Sequence, residues 1–487
     1  ALAGGAPQAP PVAVTSPSAT PASKRRAAAL SAQAEAANTC QDASVDRWRA
    51  YREASRWAAA LLVLALAVAV LALPSWRQET PPDPGPQPDP NIAVRYTLPE
   101  SSRACCLDGS PLNYYVAPGA NNGGRSRWLL YFQGGGWCAE DPGLTRREGY
   151  SHAEDVGHPD LCSARAKGYH GSSRQDLPSR DVSDKGFLSG NASINPMMHS
   201  WNRVILRNCD GALFLSSADA PLDSGGARLH LRGLDGVDAV LDALFAHHGL
   251  DAAEEVVLSG CSAGAVAAVL LADRLRSRLE ARASHGRVFV AVLSDSGVFP
   301  EWKGGEPPGV LGFPQFEWLF AHANVSGSLP PRCLERGLAW RCLLLGVALP
   351  FVSTPVFLLQ SAADSWHLSS PAREGALPAL AAQVRGAALQ ALRPPHAGAL
   401  DSCFRHCEQW GGIHFGGQSN AEAFRRWYEA RRQQWAAGAG SDEARGEAMA
   451  AEGWPLVHAA EPWVEGCYEG QLRHRQWHQR LDRIPGS

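Results

Sequence analysis

The 487-residue chain carries almost no net charge, −3 formally with histidine neutral, so it lacks the basic footprint that nucleic-acid binding depends on. Its cysteines form no C-x-x-C…C-x-x-C array and it contains no H-E-x-x-H, the two patterns that most readily hold zinc. It has no G-x-G-x-x-G, and no Lys-Ser/Thr follows its glycine run at 134–136, so a nucleotide phosphate finds no ready cradle. Methionine is scarce, three residues against sixteen tryptophans. An indole face suits stacking on a sugar ring, although most tryptophans in a folded body pack in the core or at its rim. With 45% apolar and 19% charged residues, the composition argues against wholesale disorder.

What is present centres on residues 254–273, EEVVLSGCSAGAVAAVLLAD. Val256, Val257 and Leu258 read as a buried strand, Gly260-Cys261-Ser262-Ala263-Gly264 follows, and an Ala-rich apolar run with helical spacing comes next. G-x-S-x-G alone is weak in a chain with 48 glycines. Between a strand and a helix it is the context of a nucleophile elbow, where small flanking residues let the turn tighten and lift the serine Oγ clear of the sheet edge. The N–H of Ala263 then faces the place where an oxyanion forms.

Residues 1–56 are rich in Ala, Pro, Ser and Thr and read as a disordered tail. Residues 57–76 place the uncharged run AAALLVLALAVAVLALPS between Trp57 and Trp76, long enough to cross a bilayer and with indoles suited to both headgroup belts. Arg47, Arg49, Arg52 and Arg56 lie before it, and Arg77 and Glu79 lie after. The positive side is N-terminal, so a type II signal anchor is expected, with the tail cytosolic and the remainder lumenal or extracellular. A cleaved signal peptide, giving a secreted form, and a buried helix are the rivals. Residues 77–91 form a proline-rich stem.

The folded body is expected over 92–437, leaving 438–487 as a C-terminal extension without recognisable chemistry. WLLYF (128–132), RVILRN (203–208), EVVLSG (255–260), RVFVAVLSD (287–295) and TPVFLLQSA (354–362) read as buried strands. Residues 234–248 read as an amphipathic helix, and a closing helix is expected over 427–437. Continuous apolarity in the strands implies parallel pairing with helices on both faces, an α/β architecture. Eleven of the twelve cysteines follow the anchor, which suits several disulfides in an oxidising compartment, their pairing left open and at least one thiol unpaired within the chain. Asn191-Ala192-Ser193 and Asn324-Val325-Ser326 are glycosylation sequons.

A serine nucleophile needs a base, and the base an orienting acid, in chain order Ser, Asp/Glu, His for this fold class. Asp364, just past the strand at 354–362, is the leading acid, with Asp295 one strand earlier as competitor. For the base, His406 lies between Cys403 and Cys407, two cysteines that could pin its loop by disulfides; His414 and His367 are alternatives. The second oxyanion donor is expected from Gly134-Gly135-Gly136-Trp137, directly after an early strand, where a missing Cβ lets an N–H approach the substrate.

The segments CCLDGSPLNYYV, YFQGGGWC, GFLSGNASINPMMHSWNRVILRNCDGALF, LSGCSAGAVAAVLLADRL, LSDSGVF, LLQSAADSW and DSCFRHC, between Cys105 and Trp427, resemble the pectin acetylesterase and Notum carboxylesterase family. GCSAG, GGGWC and SCFRHC are more similar to its plant-like pectin acetylesterase branch. The resemblance implies an α/β-hydrolase fold, Ser262 as nucleophile, Asp364 as acid, His406 as base, and Gly136, Trp137 and Ala263 as oxyanion donors. It also implies no metal or organic cofactor. Two positions depart from the pattern: Ala265 stands where a second glycine is usual, and His367 where the plant branch generally has Gln. The expected activity is removal of O-acetyl groups from a cell-wall or secretory polysaccharide, with no nucleic-acid partner. Deacylation of a lipidated protein, and a non-catalytic glycan-binding role on a membrane stem, are the competing expectations.

Overall fold

The computed structural model describes residues 89–438 except 121–123, 125, 141–160, 225, 302–312, 368–376, 402, 404, 408–409, 411–413 and 416–417, together with 457–459. The expected tail, the anchor at 57–76 and nearly all of the stem lie outside the described residues. Among the described residues no helix is long and apolar enough to cross a membrane.

The body is built on a ten-stranded sheet. In chain order its strands are β1 Ile92–Thr97, β2 Asn113–Ala117, β3 Arg127–Phe132, β4 Ser179–Asp181, β5 Asn202–Leu206, β6 Glu255–Cys261, β7 Phe289–Asp295, β8 Val356–Ser361, β9 Ala397–Asp401 and β10 Val457–Ala459. Across the sheet they lie in the order β10-β9-β8-β7-β6-β3-β5-β2-β1-β4. The run from β10 to β5 is parallel, and β2, β1 and β4 add an antiparallel edge.

The apolar runs read as strands are strands, and they are continuous because both faces are covered. Successive side chains alternate between two cores. Val256, Leu258, Leu130 and Val292 point into one, shared with the main helices; Val257, Leu129, Leu293 and Leu359 point into the other. The first face is covered by α1 Gly233–His247, α2 Ala263–Leu270 and α3 Ala272–Arg282, with α4 Phe313–His322 and α5 Leu377–Ala391 further along the chain. The second face is closed by α6 Asn420–Ala436, which presents Phe424, Trp427 and Tyr428 at helical spacing to Phe357 and Phe289.

The closing helix starts seven residues before the expected position, at a capping box in which the Ser419 hydroxyl accepts from Glu422 N–H at 3.2 Å and the Glu422 carboxylate accepts from Ser419 N–H at 3.3 Å. The sheet also draws in residues beyond Ala437, since β10 pairs with β9 through Gly398–Val457 and Leu400–Ala459.

Parallel strands end on one edge, and there the loops after β3, β6, β7, β8 and β9 meet. In an open α/β sheet, ligands bind outside the carboxyl ends of the strands. The segments after β3, β6, β8 and β9 are GGGW, Ser262, Asp364 and His406.

Candidate active site

Ser262 occupies the turn between β6 and α2 at φ 57°, ψ −124°, a conformation that costs a non-glycine residue of order 1–3 kcal/mol and that a nucleophile elbow requires. Its N–H donates to the Asp295 carbonyl at 2.9 Å, fixing the turn against the end of β7. The flanking glycines are obligatory. A Cβ on Gly264 would stand 2.0 Å from the Phe132 carbonyl oxygen of β3, and one on Gly260 would stand 2.3 Å from the Gly264 carbonyl. Gly264→Ala is therefore expected to destabilise the protein by about 3 kcal/mol or to prevent folding, because the clash is with central backbone; thermal unfolding checks it. Ala265, the departure from the usual glycine, is tolerated because Gly297 faces it, where an added Cβ would lie 2.9 Å from that of Ala265.

Ala263 is the first residue of α2, so its N–H has no use inside the helix and lies at the positive end of the helix dipole. The glycine loop passes directly alongside: a Cβ on Gly134 would come within 2.8 Å of the Cys261 carbonyl. Gly135 and Gly136 stand at φ 127° and 67°, conformations that glycine adopts without strain. Trp137 is buried, stacked on Phe316 at 4.7 Å and edge-on to Phe299 at 5.2 Å.

Of the candidate acids, Asp364 is the one His406 touches. Its Oδ1 and Oδ2 lie 2.8 and 2.9 Å from His406 Nδ1, and it also accepts from Trp366 N–H at 2.9 Å and Gln360 Nε2 at 3.2 Å. Burial by itself pushes this carboxyl up, but the His406 and His367 charges with the donors around it bring it below the ordinary carboxylate value. Asp295 is equally buried, yet its carboxylate accepts from the Ser296 hydroxyl at 3.0 Å and its carbonyl serves Ser262 N–H.

His406 Nε2 is buried and has no hydrogen-bond partner among the described residues, which leaves it uncommitted. No bond joins it to the Ser262 hydroxyl among the described residues. His367, the first alternative base, is buried with its ring edge-on to Phe299 at 5.4 Å and to Trp366 at 5.5 Å. His414 pairs through its backbone with Ser419, in a short hairpin away from Asp364 in sequence; its side chain lies outside the described residues.

The disulfides supply what sequence left open. Cys261–Cys407 joins the residue before Ser262 to the residue after His406, across 146 positions. Cys407 N–H also donates to Ser296 Oγ at 2.8 Å, so the loop that carries His406 is held at two points. Cys403 is disulfide-bonded as well. Cys138–Cys162, Cys106–Cys209 and Cys333–Cys342 complete the pairs among the described residues, where Cys105 is a free thiol. Cys261, His406 and Cys407 cluster with ligand-like spacing, but both sulfurs are spent in the disulfide, and metal binding requires thiolates. Replacing Cys261 and Cys407 together by Ala is expected to cost up to about 5 kcal/mol of stability through the released loop entropy and to lower kcat, measured by denaturant unfolding and ester hydrolysis.

A closed circuit of contacts results. Gly134 abuts Cys261, Cys261 is bonded to Cys407, His406 is bonded to Asp364, and Trp366 stacks on His406 at 6.1 Å and lies 5.6 Å from Trp137. Sequence reasoning missed Arg165, Asn208 and His170, which hold the glycine loop from behind; they bind backbone carbonyls or pack on glycine, and no motif spacing announces that. Of the motif WN-x-V-x-x-R-x-CDG, Arg207 forms a fully buried pair with Asp176 at 2.8 Å, and the Asp210 carboxylate accepts from Ala212 and Phe214 N–H groups. These residues shape the body of the domain. Asn191 and Asn324 are both exposed; the amide of Asn324 also donates to the Ser217 carbonyl at 2.8 Å.

A mostly parallel α/β sheet with a strained serine between strand and helix, facing a glycine-rich turn, is the frame of a carboxylic ester hydrolase. The pectinacetylesterase family matches residues 90–379, more than half of the sequence, and the chain belongs to that family. Pectin acetylesterase 7 of Arabidopsis thaliana is 30% identical over 330 residues, covering 63% of this chain and 77% of the relative. Palmitoleoyl-protein carboxylesterase NOTUM of Homo sapiens is 26% identical over 300 residues, covering 58% and 55%. Against some curated relatives the chain spans little more than half their length, 55% for pectin acetylesterase 5 of Arabidopsis thaliana. The solved structure of the Wnt deacylase Notum from Drosophila has the same fold, with a TM-score of 0.59 at 22% identity, covering 70% of this chain and 94% of that one.

Proposed function

We propose that the protein is a serine carboxylesterase that removes O-acetyl groups from a polysaccharide through an acyl-enzyme on Ser262. The observation that carries this is the Asp364–His406 pair, whose free Nε2 belongs to a loop tied by Cys261–Cys407 to the residue preceding the serine. In this reading His406 Nε2 takes the Ser262 proton as Oγ attacks the ester carbonyl. The N–H groups of Gly136, Trp137 and Ala263 receive the oxyanion, and the sugar hydroxyl leaves with the proton that His406 returns. Water, activated by the same histidine, then releases acetate.

Acetyl is favoured over a long acyl chain because identity to the Arabidopsis pectin acetylesterases reaches 33%, against 26% for human NOTUM. A lumenal or extracellular setting is favoured by four disulfides among the described residues, with Cys403 bonded as well, and we retain the signal anchor at 57–76 and the stem at 77–91 as the proposed tether. The deciding experiment measures acetate release from acetylated pectin, acetylated xylan and aryl acetates, beside a chain-length series of aryl esters. Acetate release that depends on Ser262 supports the reading; cleavage confined to long-chain esters favours lipid removal from protein; no cleavage of any ester leaves glycan binding.

A further inference from the structure

Three consecutive glycines cannot hold a shape by themselves, because glycine has the largest backbone freedom to lose. The loop Gly134–Trp137 is held instead by one buried guanidinium. Arg165 closes the short helix Cys162–Arg165, whose first residue is bonded to Cys138, the neighbour of Trp137. Arg165 Nη2 donates to the Gly135 carbonyl at 2.7 Å and to the Gly136 carbonyl at 3.2 Å, while its Nε donates to the His170 carbonyl at 3.1 Å. Asn208 Nδ2 adds a bond to the Gly136 carbonyl at 3.4 Å. The His170 ring fills the space over Gly135, where an added Cβ would stand 2.3 Å from a ring atom.

In a trans peptide the C=O and the next N–H point in opposite directions. Fixing the Gly135 carbonyl on the Arg165 side turns the Gly136 N–H to the other side, and fixing the Gly136 carbonyl does the same for the Trp137 N–H. We propose that Arg165 is a positioning residue for ester hydrolysis: it aims both N–H groups at the developing oxyanion and, with its positive charge on the two carbonyl oxygens, polarises those peptides into stronger donors. This rests on the esterase reading above. Because the oxyanion exists only in the transition state, the effect falls on kcat rather than KM.

The test compares full-length wild type with Arg165→Lys, Arg165→Gln and Arg165→Ala on an aryl acetate. Lys keeps the charge but cannot span two carbonyls, so kcat is expected to fall about 10- to 100-fold, and Gln and Ala further, toward the 10²–10³-fold loss of an oxyanion donor. KM should stay within about threefold. Added guanidinium should restore part of the Arg165→Ala rate at concentrations that leave wild type unaffected. A kcat within twofold of wild type in Arg165→Lys and Arg165→Gln overturns the proposal, as does a loss that appears only in the melting temperature. If Arg165→Ala does not fold, the Lys and Gln variants decide. If wild type cleaves no ester and a fluorophosphonate fails to label Ser262, the esterase reading fails instead, and the two failures are thereby distinct.

Discussion

Ser262→Ala is expected to lower kcat for an aryl acetate by roughly 10⁴- to 10⁶-fold, the scale seen when a serine nucleophile that works as a unit with its base is removed. The size follows from the chemistry. In the proposed mechanism no acyl-enzyme forms without Oγ, and only attack by water remains, aided by whatever the oxyanion donors and binding still supply. The substitution removes one oxygen from a buried site and retains a Cβ at φ 57°, so the backbone strain is the same in both proteins and stability should change little. Fluorophosphonate labelling should disappear along with hydrolysis. Activity within tenfold of wild type would remove Ser262 from the mechanism and leave the glycan-binding alternative standing.

How much could be read from the sequence depended on how local each feature is. Strand, strained serine and helix are contiguous from Glu255 to Leu270, so one window of pattern and composition contained them. Asp364 and His406 lie 42 residues apart, and only chain order and family resemblance singled them out from Asp295, His367 and His414. Cys261–Cys407 could not be read, because pairing is a property of the folded distance. Strand β9, AGALD, lacks the branched and aromatic residues that mark strands; it is a strand because β8 and β10 flank it. Arg165 was invisible because it binds chiefly backbone carbonyls, those of Gly135, Gly136 and His170, which no side-chain pattern marks. Trp128, Trp201, Trp410 and Trp427 are fully buried, out of reach of a sugar ring.

The second large effect concerns the acid. Asp364→Asn is expected to reduce kcat about 10⁴-fold, whereas Asp295→Asn, whose carboxylate faces the Ser296 hydroxyl, should cost far less in kcat and act mainly on stability. The Asp364 carboxylate oxygens lie 2.8 and 2.9 Å from His406 Nδ1; in the proposed mechanism they accept the Nδ1 proton, which leaves the Nε2 lone pair to receive the serine proton. An amide can turn its NH₂ toward Nδ1, drive the imidazole proton to Nε2 and block that step with the geometry nearly unchanged.

The pH dependence has a definite sign. The folded carboxyl is held below its ordinary value despite burial, chiefly by the His406 and His367 charges. Its ionised form therefore stabilises the fold above the ordinary carboxylate range, and this contribution is lost as pH falls through the depressed folded value. Wild type and Asp364→Asn should differ in unfolding free energy near neutrality and converge in strong acid, while raising the pH should not rescue the variant's kcat. Denaturant unfolding across pH, with kcat measured for both Asn variants on one ester, decides it. A larger kcat loss in Asp295→Asn than in Asp364→Asn would move the orienting role to the end of β7 and overturn the assignment of Asp364.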